Sequence, residues 1–184
     1  MDWQHAWDKA LPYAGFLQVF GHEDQIDRWR TVYEQVSLTD EQTTLLRGFS
    51  RQMNVLCLAG VWCGDCSSQC PILQRFAETS DRIELRFLDR EIEPEVRDEL
   101  IINAGTRVPV AVFLSEDYRE CGRYGDRTLS QYRRLASTLT GAACPTGNDI
   151  GNLLAQVTSE WLAELERIQL MLRLSPRLRA KHGD

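Results

Sequence analysis

A nearly unbroken apolar run, Met53-Asn54-Val55-Leu56-Cys57-Leu58-Ala59-Gly60, leads directly into Val61-Trp62-Cys63-Gly64-Asp65-Cys66. A run this short and this apolar fits a central strand buried on both faces, and such a strand needs helices above and below it. Two cysteines separated by two residues then sit at the strand's end. A pair of that spacing can hold a metal, form a structural staple or exchange electrons.

The rest of the chain supplies the flanking elements. Ile26, Trp29, Val32, Tyr33 and Val36 recur at helical spacing, and Thr39 with Gln42 forms a capping-box pattern ahead of Leu45, Leu46 and Phe49. After the cysteine pair, SSQCPILQRFAETS reads as a helix that Pro71 interrupts, since proline lacks the amide a helix interior needs. Ile83–Leu88 alternates as a strand, and Pro94 opens a helix expected to run until Gly105 stops it. Val110–Leu114 and a short segment near Cys121-Gly122-Arg123 form a hairpin across the turn SEDYRE. A helix from Thr128 to Leu139 is expected to bury Leu129, Tyr132, Leu135 and Leu139. From residue 53 the order is β-α-β-α-β-β-α, an α/β fold with a mixed β-sheet flanked by helices. Beyond a linker at Cys144-Pro145-Thr146-Gly147-Asn148, the stripe Leu154, Val157, Trp161, Leu165, Ile168 and Leu172 predicts a C-terminal amphipathic helix. That stripe is expected to pack on the parent domain; a dimer seam or partner groove is the alternative.

Charge and length exclude some functions. The 184 residues suit one domain, with 1–38 a helical N-terminal extension, 39–142 the core and 143–184 a linker and helix. A net charge of −6 argues against nucleic acid as a partner. No apolar run reaches the roughly 20 residues a bilayer demands, so no membrane partner is expected. The N-terminus lacks a basic cluster and an apolar core, so it does not read as a secretory signal, and a cytoplasmic location is expected.

Six cysteines in a chain of this size do not form a disulfide scaffold. A strand, then C-x-x-C, then a helix puts Cys63 at a helix N-terminus, where free amides favour a thiolate and lower its pKa from ~8.5 to ~7 or below. Cys66, one turn further in, is more shielded. This asymmetry suits a nucleophile and a resolver. Zinc or an iron–sulfur cluster competes for the pair, with Cys70 as a third thiol, but zinc wants four ligands and His5, His22 and His182 are isolated.

WCGDC after an apolar strand, Pro71 five positions after Cys66, and Val108-Pro109 opening a later strand resemble the thioredoxin family. The resemblance covers roughly residues 40–142. It implies a thioredoxin-like fold, a cis Val108–Pro109 bond facing the cysteines, and Gly125 lining the substrate groove. It also implies catalytic Cys63 and Cys66 and a groove for extended polypeptide framed by Trp62, Gly64, Asp65, Val108, Pro109 and Gly125. No cofactor is implied beyond the Cys63–Cys66 redox disulfide, and no metal. The expected activity is thiol–disulfide exchange as a reductant of protein disulfides, recharged by a reductase. The alternative is an adaptor that keeps the fold without redox activity. Two departures stand out. Cys57 occupies the place of the family's buried Asp, six residues before Cys63. Asp65 replaces the family's proline, and its charge disfavours a neighbouring thiolate.

Overall fold

The computed structural model describes residues 1–139 and 152–184, so the linker expected at Cys144–Asn148 lies outside the described residues. Strand β1 (Met53–Ala59) is buried along its whole length and occupies the inside of a four-stranded sheet of order β2-β1-β3-β4. It pairs parallel with β2 (Ile83–Asp89) and antiparallel with β3 (Val110–Ser115), which pairs antiparallel with β4 (Glu120–Gly125). Helix α5 (Gly64–Thr79) is the crossover that a parallel β1–β2 pair requires. Burying Val55, Leu56 and Leu58 contributes about 1.5–3 kcal/mol each. The expected class, a mixed sheet flanked by helices with helical additions at both ends, is the observed one.

Four helices precede β1: α1 (Trp3–Lys9), α2 (Tyr13–Phe20), α3 (Glu23–Gln35) and α4 (Asp40–Arg47). The capping box of α4 forms as its sequence predicts, with the Gln42 amide donating to Thr39 Oγ1 at 3.2 Å and the Thr39 amide to Gln42 Oε1 at 3.0 Å. These helices are built into the core. Phe16, Tyr13 and Trp29 surround Phe87 of β2 at ring distances of 5.4, 5.8 and 6.1 Å. Leu11, between α1 and α2, exchanges both backbone hydrogen bonds with Phe87, at 2.8 and 2.7 Å.

Two expectations need correction. Helix α6 (Pro94–Glu99) ends well before Gly105. Asn103 and Ala104 both take positive φ, 47° and 57°, and close a tight turn in which Ile102 and Gly105 exchange backbone hydrogen bonds at 3.0 Å. Helix α7 (Leu129–Ser137) turns its expected core stripe outward: Leu129, Tyr132, Leu135 and Leu139 are exposed. Polar bonds orient it instead. Glu160 accepts from the Ser130 amide and hydroxyl at 3.0 and 2.7 Å, and Gln131 donates to Ser68 at 3.2 Å. The long helix α8 (Leu153–Leu174) does bury Val157, Trp161, Leu165, Ile168 and Leu172 within the chain, and α9 (Pro176–His182) follows it.

Candidate functional site

The cysteine pair sits where β1 gives way to α5. Gly60 follows the strand at a point where an added Cβ would meet the Trp62 ring at 2.7 Å, so a side chain there would have to displace that ring. The Cys63 amide donates back to the Gly60 carbonyl at 3.0 Å, and Cys63 becomes the residue capping α5. Its thiol is half-buried, with the Val108 carbonyl 3.6 Å away. The Val108–Pro109 bond is cis. Cys66 lies one turn deeper, fully buried, and accepts from the Gly60 amide at 3.5 Å.

The two thiols titrate as a unit. Cys63 is raised above the ordinary thiol range, first by its hydrogen bond to Cys66, then by burial and by the Cys66 charge, against the lowering effect of the Cys66 and Asp65 amides. Burial opposes charge on Cys66, but hydrogen bonds from the Cys63 and Cys70 thiols and the Gly60 amide outweigh it and bring Cys66 down to about 5. The lowered value expected for Cys63 thus belongs to the inner sulfur, because the outer thiol donates inward. Reduced protein is expected to gain one thiolate as pH rises through about 5 and to lose it below that. The second proton of the pair should stay on until well above the ordinary thiol range. Thiolate absorbance in the ultraviolet measures both; two protons lost together near ~8.5 would contradict this coupling.

Asp65 does not face the thiols as an uncompensated charge. Arg127 pairs with it at 2.5 Å and with Asp126 at 3.3 Å. The Asp126 carboxylate, buried, also accepts from Arg107 at 3.2 Å and from the Tyr132 hydroxyl. Burial raises its pKa, but the bonds from Tyr132 and Arg107 hold it below the usual carboxylate value. This cluster fixes the loop carrying Gly125, whose φ of 154° and 2.3 Å approach of a Cβ to the Pro109 carbonyl exclude side chains.

The structure therefore brings Cys63, Cys66, Val108, Pro109, Asp65 and Gly125 to one end of the sheet. Gly64 opens α5 at the surface, and Trp62 stays exposed with the Arg90 guanidinium 4.6 Å above its ring. Other residues were not singled out from the sequence as parts of this site. Trp29 of α3 donates to the Val61 carbonyl at 2.9 Å, pinning the loop from the N-terminal side. From the C-terminal side, Trp161 of α8 donates to Gln69 Oε1 at 2.9 Å, and Gln69 Nε2 donates to the Asp126 carbonyl at 2.9 Å. Both tryptophans stood out only as members of helical stripes. Cys57 and Cys70, both fully buried, bring their sulfurs to 3.9 Å behind Cys66. Among the described residues no group of three or more His, Cys, Asp or Glu is arranged to hold a metal ion. Among them, too, no helix is long and apolar enough to cross a membrane.

Comparison with known proteins agrees with this fold. A structure of a protein of unknown function from Pseudomonas aeruginosa superposes with a TM-score of 0.72 at 16% identity, covering 91% of this chain and 96% of that one. An HIV epitope scaffold superposes with a TM-score of 0.69 at 17% identity, covering 91% and 97%. Both similarities speak to the fold alone. No curated protein matches the chain. The thioredoxin family model matches residues 17–135, most of the chain and all four strands, and the protein belongs to that family.

Proposed function

We propose that the protein is a thiol–disulfide oxidoreductase that reduces disulfides in protein substrates. The observation that carries this reading is the asymmetry of the pair: Cys63 half-buried at the start of α5 beside the cis-proline loop, Cys66 sealed behind it. Exposure decides which sulfur meets the substrate. The dithiol's single negative charge rests on Cys66, but only Cys63 can approach another protein. When the proton passes inward, the Cys63 thiolate attacks one substrate sulfur and expels the other as a thiolate, giving a mixed disulfide. Cys66 then attacks Cys63, releases the substrate sulfur and closes the Cys63–Cys66 disulfide. Two electrons have moved to the substrate, and a reductase returns two to the pair. The redox disulfide is the only redox group this requires.

Trp62 and Gly64 border Cys63 at the surface, while the backbone of Val108, held by Pro109 and backed by Gly125, suits strand-like pairing with an extended substrate chain. Asp65, paired to Arg127, orients this rim. A reducing cytoplasm is the compartment this chemistry fits.

Cys66→Ser tests the order of attack. The variant should accumulate a mixed disulfide with substrate, which peptide mapping locates at Cys63. An adduct carried by another cysteine, or none, would reject the assignment. One observation favours the adaptor reading: Cys57 stands where the family's proton-transferring carboxylate would be. An adaptor would bind substrate protein without consuming its disulfides.

A further inference from the structure

Four sulfurs form a ladder from the surface into the core. Cys63 caps the start of α5, and Cys66 and Cys70, four residues apart, lie on one face of it. Cys57 projects from β1 beneath them, its sulfur 3.9 Å from that of Cys70. One helical turn separates Cys66 from Cys70, about 5–6 Å between Cβ atoms, so the Cys66 sulfur neighbours that of Cys70 as Cys70 neighbours Cys57. A disulfide is ~2.05 Å long, so Cys57 and Cys70 need to close by about 1.9 Å. Helix α5 is weakest at this point. Pro71 has no amide for the Ser67 carbonyl and its ring crowds that group, which loosens the turn holding Cys70.

We propose that Cys57 and Cys70 form a second dithiol–disulfide pair, which takes up the oxidation of the Cys63–Cys66 disulfide through Cys66. The inference rests on the exchange chemistry proposed for Cys63 and Cys66. After one substrate disulfide has been reduced, Cys70 attacks the Cys66 sulfur and Cys63 leaves as a thiolate. Cys57 then attacks the Cys70 sulfur and Cys66 leaves. Of the two protons given up by Cys70 and Cys57, one ends on Cys63 and the other passes to solvent, because Cys66 stays a thiolate at neutral pH. One disulfide is broken, one is formed, and no outside oxidant is consumed. The surface pair is again reduced and can act on a second substrate before any reductase arrives. Burial, with the bond to Cys57, keeps the Cys70 thiol well above its ordinary range, so its thiolate is scarce and the internal transfer is the slower step.

The test uses the full chain with Cys121 and Cys144 replaced by serine. It is fully reduced, freed of reductant and mixed with excess insulin as the disulfide probe. Two disulfide equivalents should be consumed per chain, the second more slowly, and mapping of the spent protein should find a Cys57–Cys70 bridge beside Cys63–Cys66. Cys57→Ala and Cys70→Ala, each in that background, should stop at one equivalent. Should either variant fail to fold, the stoichiometry and bridges of the parent decide the question. One equivalent with Cys57 and Cys70 still free overturns the relay and leaves the proposed function standing. A second bridge between any other cysteines also overturns it. No equivalents, or consumption that survives Cys63→Ser, overturns both.

Discussion

Cys63→Ser should lower disulfide turnover by roughly 10³-fold or more, the scale on which loss of an enzyme's nucleophile acts. A serine hydroxyl stays protonated at neutral pH and is a poor leaving group, so it cannot replace a thiolate that must attack and then be expelled. The half-buried side chain changes by one atom, and unfolding stability should move by no more than about 0.5 kcal/mol. Dithiol-driven reduction of insulin, with denaturant unfolding alongside, separates chemistry from folding. Turnover near that of the parent would remove Cys63 from the reaction, since no other sulfur of the ladder reaches the surface.

Trp161→Ala should be among the most destabilising single changes in the chain. The indole is fully buried, and truncating such a side chain costs about 3–5 kcal/mol. The change also strands Gln69 Oε1 in the core, at about 1–3 kcal/mol for an unpaired buried acceptor. Against a total stability of about 5–15 kcal/mol, this is a large share. Trp161→Phe keeps most of the apolar volume and loses the hydrogen bond, so it should cost distinctly less. Urea unfolding midpoints of the two variants measure the difference. If Trp161→Ala lost under about 1 kcal/mol, α8 would be a loosely held appendage and not a support of the site.

Which parts were legible in the sequence follows from the range of the interactions involved. β1 and the Thr39–Gln42 cap depend on residues close in the chain, and they formed as expected. Cis Val108–Pro109 followed from family resemblance, because local chemistry alone favours trans. The failures were tertiary. The leucines of α7 have helical spacing, yet Glu160 and Ser68, far away in sequence, bind its polar face and turn the leucines outward. Between the end of α6 and Gly105 the chain makes a turn at Asn103-Ala104, two residues with positive φ and neither a glycine. Cys57 read as a missing carboxylate, and only the packing of β1 against α5 shows that it faces Cys70. Arg127 had no local signal as the counter-charge of Asp65, being 62 residues away by the numbering of the pair.

The short bridge between Leu11 and Phe87 bears on self-association. β2 is an edge strand, and unpaired edges invite another chain to add on. Leu11 occupies both the amide and the carbonyl of Phe87, and the rings of Tyr13, Phe16 and Trp29 close over that residue. A second molecule seeking to extend the sheet there would first have to peel away the N-terminal segment. The helices ahead of β1 thus guard against fibril-like stacking through β2, and their removal would expose a hydrophobic edge to aggregation.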